Sequence, residues 1–154
     1  MHFEVERKFL VDLQKWNQVL KPEARLIRQG YLLAEDGRSV RIRTAGIEAF
    51  ITIKAGNQGL KRLEFEYPIP LTDANELLKL CGNLVSKLRY RIFHHGRLWE
   101  VDEFLDENQG LVLAEIELKT EDEDFEMPPW VGKEVTGDER YYNAYLSQNS
   151  FCKQ

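Results

Sequence analysis

Pairs of acidic residues two positions apart recur along this sequence. On a β-strand, side chains two positions apart point to the same face and stand about 7 Å apart. Two carboxylates drawn to about 5 Å repel each other by about 3 kcal/mol at an effective dielectric constant near 20. Repetition of this cost suggests a shared cation that offsets it, and carboxylate oxygens are ligands that Mg²⁺ and Mn²⁺ prefer. The pairs are Glu4 and Glu6, Glu64 and Glu66, Glu100 and Asp102, and Glu115 and Glu117.

Basic residues follow the same alternation and supply the opposite charge. Lysine and arginine bind phosphate oxygens, and arginine often does so through two nitrogens at once. A face with acids and bases in equal number suits a polyanion that binds together with a divalent metal. The basic positions are Lys8, Arg41, Arg43, Lys54, Arg62, Lys87, Arg89 and Arg91.

Eight extended segments hold these residues. Each segment is rich in β-branched, aromatic and alternating residues, and seven of them have one apolar and one charged face. Short turns such as Asp36-Gly37 and His95-Gly96 predict antiparallel neighbours. We therefore predict an α+β, predominantly β fold: a closed eight-stranded antiparallel β-barrel with a charged lumen and with helices packed outside. The predicted strands span residues 2–11, 26–35, 38–45, 48–56, 60–69, 85–95, 97–105 and 111–119.

Three further segments predict the helices that cover the barrel. The first follows Asp12 and the second follows Thr72, and both are favourable N-cap residue types. Leu13, Trp16 and Leu20 give the first helix an apolar face. The predicted helices span residues 13–20, 73–80 and 139–149.

Composition and charge narrow the class of protein. The 154 residues suggest a single domain over residues 1–154, with a net charge of −5. A general nucleic-acid binder normally carries a basic excess, so we expect no nucleic-acid partner. No apolar stretch has the length of a membrane span and the N-terminus lacks a signal-peptide pattern, so we expect no membrane partner and a cytoplasmic location. Cys81 and Cys152 belong to no zinc-binding pattern.

The opening Glu4-Val5-Glu6-Arg7-Lys8 resembles the ExExK motif of the CYTH family, the triphosphate tunnel metalloenzymes. The stretch from Glu6 to Val11 is especially similar to the short bacterial branch, whose members tend toward inorganic triphosphatase activity. The resemblance covers nearly the whole chain, because further motifs follow in family order. These are Arg28-Gln29-Gly30-Tyr31-Leu32, Arg41-x-Arg43, Thr52-x-Lys54, Arg62-x-Glu64-x-Glu66, Lys87-x-Arg89-Tyr90, Glu100-x-Asp102-x-Phe104, Glu115-x-Glu117, Glu134-Val135-Thr136 and Arg140-Tyr141-x-Asn143.

The resemblance implies a β-tunnel fold and roles for individual residues. The family's metal-binding acids match Glu4, Glu6, Glu115 and Glu117, with Glu64 and Glu66 as further lumen acids, and the implied cofactor is Mg²⁺ or Mn²⁺. Its phosphate-binding bases match Lys8, Arg41, Arg43, Lys54, Arg62, Lys87 and Arg89. We predict that the catalytic residues are Glu4, Glu6, Lys8, Lys87 and Asp102. Arg91 lies outside the family motif, and Tyr31 has either a tunnel or a core position.

The resemblance implies metal-dependent hydrolysis of inorganic triphosphate, with in-line attack of water on a terminal phosphorus. Three alternatives stay open: a nucleoside or thiamine triphosphatase, a class IV adenylate cyclase, and a non-catalytic polyphosphate- or phosphopeptide-binding module. The carboxylate pairs argue against the last, and the motifs contain no recognisable adenine pocket. The sequence leaves the physiological substrate, the identity and number of metals, and the oligomeric state (a homodimer included) undetermined.

Overall fold

The computed structural model describes residues 5–56, 63–147 and 149–151. Nine β-strands dominate this part of the chain. They are β1 (Val5–Val11), β2 (Arg25–Glu35), β3 (Arg38–Ala45), β4 (Glu48–Ala55), β5 (Leu63–Pro68), β6 (Val85–His94), β7 (Arg97–Phe104), β8 (Val112–Leu118) and β9 (Val131–Glu134). The eight predicted strands correspond to β1 through β8; residues 2–4 and 60–62 of the predicted strands lie outside the described residues.

All nine strands belong to one antiparallel sheet, in the order β5-β4-β3-β2-β6-β7-β8-β1-β9. Two-residue turns join β2 to β3 and β6 to β7. Gly37 and Gly96 occupy these turns at φ values of 81° and 76°. Glycine adopts this left-handed conformation without the steric cost of a Cβ atom. The predicted tight reversals at these two turns are therefore confirmed.

The predicted count of eight strands is wrong, because β9 pairs with β1 at one edge of the sheet. This strand has only four residues, too few for a clear alternation of polar and apolar side chains. The edge strands of the sheet are β5 and β9. Within residues 5–56, 63–147 and 149–151, no backbone pairing joins these two edges, so the sheet formed by the described residues is open at that seam.

The first two helices differ from the prediction at their ends. Helix α1 (Leu13–Asn17) has the predicted cap, since the carboxylate of Asp12 accepts a hydrogen bond from the backbone N–H of Lys15 at 3.2 Å. This helix ends three residues early, and Leu20 is 96% exposed, so Leu20 is not part of an apolar face. Helix α2 (Leu71–Leu80) begins after Pro70, so the prediction of Thr72 as its N-cap is wrong.

The third predicted helix is interrupted. A 3₁₀ turn covers Glu139–Tyr141, and helix α3 covers only Asn143–Leu146. The break lies at Tyr142, whose backbone is extended (φ −78°, ψ 142°) and cannot continue a helix. A further 3₁₀ turn covers Asp106–Asn108. No helix within the described residues is long and apolar enough to cross a membrane.

The main core lies on the apolar face of the sheet, as the alternation predicted. Trp99 is fully buried and contacts the rings of Phe9, Phe125 and Trp130. Trp16 of α1 packs on Trp130 at a centroid distance of 5.1 Å. Helix α2 covers a second cluster on the same sheet, around Ile42, Ala49, Ala74 and Leu78. The apolar face of the sheet is buried in this core, so the charged side chains of the strands lie on the opposite face of the sheet.

Candidate active site

The charged face of the sheet borders a cavity of about 1110 Å³. Both edges of the sheet contribute to it, through Glu64 on β5 and through Thr136, which follows β9. Ten of the predicted lumen residues line this cavity: Glu6, Lys8, Arg41, Arg43, Lys54, Glu64, Arg89, Glu100, Glu115 and Glu117. The two-residue period of the strands therefore brings charged residues from distant parts of the sequence to one space.

Carboxylates gather on three neighbouring strands at one side of the cavity. Glu6 on β1 lies directly across from Glu117 on β8, and Glu115 on β8 lies directly across from Glu100 on β7. Like charges that face each other across two strands destabilise a sheet. Lys8 offsets part of this repulsion, since its Nζ lies 3.3 Å from a carboxylate oxygen of Glu115. Arg89 offsets a further part, since its Nη1 lies 3.5 Å from a carboxylate oxygen of Glu100. A divalent cation bound among these carboxylates would lower the repulsion further.

The pKa of the Glu6 carboxyl is affected by burial and by these neighbouring charges. Partial loss of hydration raises the pKa of its carboxyl, and the nearby charge of Glu115 raises it further. Within the described ranges, no three Asp, Glu, His or Cys side chains lie close enough together to form a ready-made metal site. The oxygen donors on β1 and β8 have the chemistry that a divalent cation requires, but a cation would have to draw them closer together.

The bases on β3 and β4 lie farther along the sheet. Lys54 lies directly across from Glu64 on β5. Arg41 donates from Nη2 to the hydroxyl of Thr52 at 3.3 Å, and that hydroxyl donates to Glu66 at 3.1 Å. Glu64 and Glu66 therefore adjoin basic and hydroxyl groups, on a strand remote in sheet order from the acids of β1 and β8.

Arg43 lies deeper in the cavity wall. Its Nε donates a 2.9 Å hydrogen bond to the amide oxygen of Gln29, which is completely buried. Burial lowers the pKa of Arg43 to about 10, and the positive charges of Arg41 and Arg89 contribute to this decrease. Three guanidinium groups thus act on one another at this point of the cavity.

Asp102 joins two cations in a buried network. Its carboxylate accepts two hydrogen bonds from Arg89, at 2.8 and 2.9 Å, and lies 2.8 Å from Nζ of Lys87. Burial lowers the pKa of Lys87 to about 8 even though Asp102 opposes this change. Burial alone would raise the pKa of Asp102, but Lys87 and Arg89 hold it well below its usual range. Asp102 is therefore ionised at neutral pH.

One end of the charged face is closed by apolar side chains. Positions that continue the charged rows of β6, β7 and β8 are Val85, Phe104 and Leu113, and they pack against Leu146 of α3. Lys87 lies beside this apolar cluster, with Nζ 5.4 Å from the ring centroid of Phe104. This contact explains why Lys87 is desolvated while the bases farther along the cavity remain partly hydrated.

The segment after β9 also reaches the cavity. The side chain oxygen of Asn143 accepts a hydrogen bond from Nζ of Lys87 at 3.3 Å. Nζ of Lys8 lies 5.3 Å from the ring centroid of Tyr142 and 3.4 Å from the carbonyl oxygen of Tyr141. The start of α3 therefore contacts two of the predicted catalytic lysines.

An ion pair on the outer side of β1 holds the segment that follows β9. Arg7 donates to both carboxylate oxygens of Glu134, at 2.9 and 2.6 Å. Thr136 donates to the same carboxylate at 2.6 Å and accepts from the backbone N–H of Lys8 at 2.9 Å. The pKa of Glu134 falls to about 2, chiefly because of the hydrogen bonds from Arg7.

Two predicted site residues, Glu4 and Arg62, lie outside the described residues. Tyr31 lines the cavity and lies directly across from Arg41, which favours the tunnel position over the core position. The register between β2 and β3 shifts between Tyr31 and Leu33. A Cβ atom at Gly30 would lie 2.6 Å from Leu84, so the glycine allows Leu84 to approach the backbone of β2 closely.

The remaining predicted lumen base, Arg91, is exposed and lies across from Glu100.

Sequence reasoning did not select three residues that contact the charged groups: Gln29, Tyr142 and Asn143. Gln29 and Asn143 belong to motifs that resemble the family pattern, but neutral side chains carry no charge pattern to single them out. Tyr142 lies within the predicted helix of residues 139–149, and that pattern assigns its side chain no contact with Lys8. Their contacts depend on the approach of segments that are distant in sequence.

Comparison with known proteins identifies the family. A family model for the CYTH domain matches residues 2–143. An inorganic triphosphatase of Acetivibrio thermocellus is 45% identical over 150 residues, which cover 96% of this chain and 95% of that protein. An inorganic triphosphatase of Nitrosomonas europaea is 39% identical over 153 residues, with coverages of 94% and 96%. A crystal structure of an inorganic triphosphatase aligns with a TM-score of 0.74 and 37% identity, covering 96% of this chain and 95% of that one. The chain belongs to the CYTH family.

Proposed function

We propose that this chain hydrolyses inorganic triphosphate on the charged face of its sheet. The main supporting observation is the division of charge around one cavity, with acids concentrated on β1, β7 and β8 and bases concentrated on β3 and β4. A small polyanion bound together with a cation would neutralise both sides at once. The two relatives named inorganic triphosphatase support the same substrate.

In this proposal the bases hold the substrate. Arg41, Arg43 and Lys54 contact phosphate oxygens, with Lys8 at the border of the acidic side. Arg89 contributes less charge, because Asp102 already accepts two of its hydrogen bonds. Arg62, outside the described residues, is a further proposed phosphate ligand.

Glu6, Glu115 and Glu117 are the proposed ligands of a Mg²⁺ or Mn²⁺ ion, together with Glu4. Glu64 and Glu66 remain proposed lumen acids, and Glu64 lies across from Lys54. A divalent metal bound among these carboxylates would neutralise phosphate charge and supply an oriented, acidified water. Burial is the main cause of the raised pKa of Glu6 and the charge of Glu115 raises it further; a bound cation would relieve this second contribution, which supports the proposed role.

Lys87 and Asp102 are proposed catalytic residues with different tasks. Nζ of Lys87, with a pKa of about 8, can hold or release a proton close to neutral pH. Asp102 orients Lys87 and Arg89 and keeps both charges compensated while no substrate is bound.

A phosphate-release assay with purified protein tests the proposal. Inorganic triphosphate, ATP and thiamine triphosphate are compared with Mg²⁺, with Mn²⁺ and with a chelator. We expect fastest release from inorganic triphosphate, dependence on the metal, and at least about a tenfold loss in Arg41→Met, which removes one charge from the phosphate side. Faster release from an organic triphosphate, or binding without turnover, would contradict the proposed substrate or the enzyme assignment.

The cyclase alternative is tested by following cyclic AMP and phosphate together, with ATP and Mn²⁺. A cyclase must hold the nucleoside in one pose through contacts away from the phosphates. Charged groups predominate around the cavity, which supports phosphate recognition over adenine recognition. We expect no cyclic AMP, and cyclic AMP as the main product would overturn the hydrolase assignment.

We further propose that the sheet closes into a barrel, in one domain over residues 1–154 of a cytoplasmic protein. Closure is supported by the cavity, which side chains from both ends of the strand order border. Hydrogen–deuterium exchange tests it, because closure protects the amides on the outer edges of β5 and β9. Rapid exchange at both edges would contradict closure.

A further inference from the structure

The contact between Gln29 and Arg43 has an unfavourable side. Since the Nε–H of Arg43 can only donate, the amide oxygen of Gln29 must face it. The amide nitrogen of Gln29 then has no hydrogen-bond partner among the described residues, although the side chain is fully buried. A buried donor without a partner destabilises a folded protein.

A glutamate of the same shape would accept the same hydrogen bond and form an ion pair with Arg43. Burial of its charge would cost free energy, which the attraction to Arg43 partly offsets. Burial is the main cause of the lowered pKa of Arg43; the positive charges of Arg41 and Arg89 lower it further and the charge of Asp102 opposes the change. The glutamine therefore holds Arg43 through a neutral contact, at the cost of one buried N–H without a partner among the described residues.

Arg41 and Arg43 differ in this respect from Arg89. The guanidinium of Arg89 is held by the carboxylate of Asp102 through two hydrogen bonds. The guanidinium of Arg41 is held by the hydroxyl of Thr52, and that of Arg43 by the amide of Gln29, and both of these partners are neutral. Within the described residues no carboxylate forms an ion pair with either arginine of β3, although Asp102 acts on Arg43 from farther away and Glu66 accepts a hydrogen bond from Thr52. Both arginines line the cavity.

We propose that Gln29 is a positioning residue that fixes Arg43 without neutralising it, so that the charge of Arg43 remains available to the phosphate groups of the substrate. The inference rests on the proposed function, because it takes inorganic triphosphate as the anion. It assigns to a buried neutral side chain the control of affinity for that anion.

The test compares Gln29→Glu with Gln29→Met. The glutamate variant should hold Arg43 at least as firmly as glutamine does, but it compensates the charge. We expect it to bind metal-free inorganic triphosphate about tenfold more weakly or worse, with a matching rise in KM, because a unit charge is added beside a polyanion. We also expect its unfolding midpoint to stay within about 4 °C of that of the unchanged protein, because the attraction to Arg43 and the cost of burying a carboxylate oppose each other.

The methionine variant removes the acceptor without adding charge. We expect it to lower the unfolding midpoint, since Arg43 loses its partner, and to weaken binding less than the glutamate variant does. Gln14→Glu is the matched control, because Gln14 is exposed on α1 and the same unit of charge is added outside the cavity. Calorimetry with inorganic triphosphate in chelator gives the dissociation constant, and phosphate release with Mg²⁺ gives KM and kcat.

A merely structural role makes the opposite prediction. If Gln29 only held Arg43 in place and the charge at this position did not act on the substrate, the glutamate variant would bind triphosphate as well as the unchanged protein and the methionine variant would be the weaker one. That result, or a glutamate variant that loses stability and binding together, would overturn the inference. The proposed function would stand, since the unchanged protein would still hydrolyse triphosphate. Failure of the unchanged protein to bind or hydrolyse triphosphate would instead overturn both.

Discussion

Replacement of Asp102 by asparagine should destabilise the protein strongly. The change keeps the shape of the side chain but removes the only carboxylate that contacts both Lys87 and Arg89 among the described residues. Asp102 is 4% exposed and Lys87 is 1% exposed, so water cannot replace the lost partner. Removal of one member of a buried ion pair costs about 3–5 kcal/mol, and we expect a loss of unfolding free energy in this range at pH 6.

The loss of unfolding free energy in Asp102→Asn should depend on pH, and the protonation of Lys87 determines the direction of this dependence. Its pKa in the folded protein is already lowered to about 8, and Asp102 is the group that opposes this decrease. Without Asp102 the folded state releases the Lys87 proton at a lower pH, while the unfolded chain keeps it up to about pH 10.4. Because the unfolded state then binds more protons, stability rises with pH. The asparagine variant should therefore regain stability between pH 6 and pH 9.

Urea unfolding at pH 6 and pH 9, followed by fluorescence of the buried tryptophans, measures both effects. Glu76→Gln is the matched control, because Glu76 forms an exposed pair with Lys79 at 3.0 Å and such pairs contribute about 0–1 kcal/mol. The double variant Asp102→Asn with Lys87→Met should recover part of the loss, since it also removes the unpaired charge. The reasoning would be refuted by an Asp102→Asn loss no larger than that of the control.

Three further predictions concern the cavity and the core. In the unchanged protein, unfolding free energy attributable to Lys87 should rise between about pH 8 and about pH 10.4, because the folded state releases its proton first, and Lys87→Met should remove this rise in urea titrations across that range. Glu115→Gln should lower the pKa of Glu6, as read by carboxyl ¹³C NMR, and weaken Mn²⁺ binding by about tenfold or more; an unchanged Glu6 titration would contradict the contact between their charges. Trp99→Ala should cost about 3–5 kcal/mol in thermal unfolding, because Trp99 is fully buried among aromatic rings, and a loss below about 1 kcal/mol would contradict its place in the core.

Much of the fold could be predicted from the sequence, because a strand has a period of two whatever its neighbours are. The alternation in β3 alone separates Arg41 and Arg43 from Ile42, and hydrophobic burial then decides which face is covered. Glycine at the positions of Gly37 and Gly96 predicts the tight turns, since these positions require positive φ. Local patterns of this kind were sufficient to predict eight strands and the charged character of the face that lines the cavity.

Other features depend on which distant segments meet, and only the tertiary structure decided them. The ion pair between Arg7 and Glu134 joins residues 127 positions apart, and β9 pairs with the similarly distant β1; no local pattern encodes these contacts. Register determines that Glu6 faces Glu117, so that like charges meet, while Arg89 faces Asp102 and is neutralised. The same long-range packing places apolar side chains at one end of the charged face and desolvates Lys87. Sequence alternation thus predicted most of the charged residues that line the cavity, whereas strand register and burial determined which of their charges are paired and which are desolvated. The reason is that electrostatic energy depends on distance and hydration rather than on residue type alone.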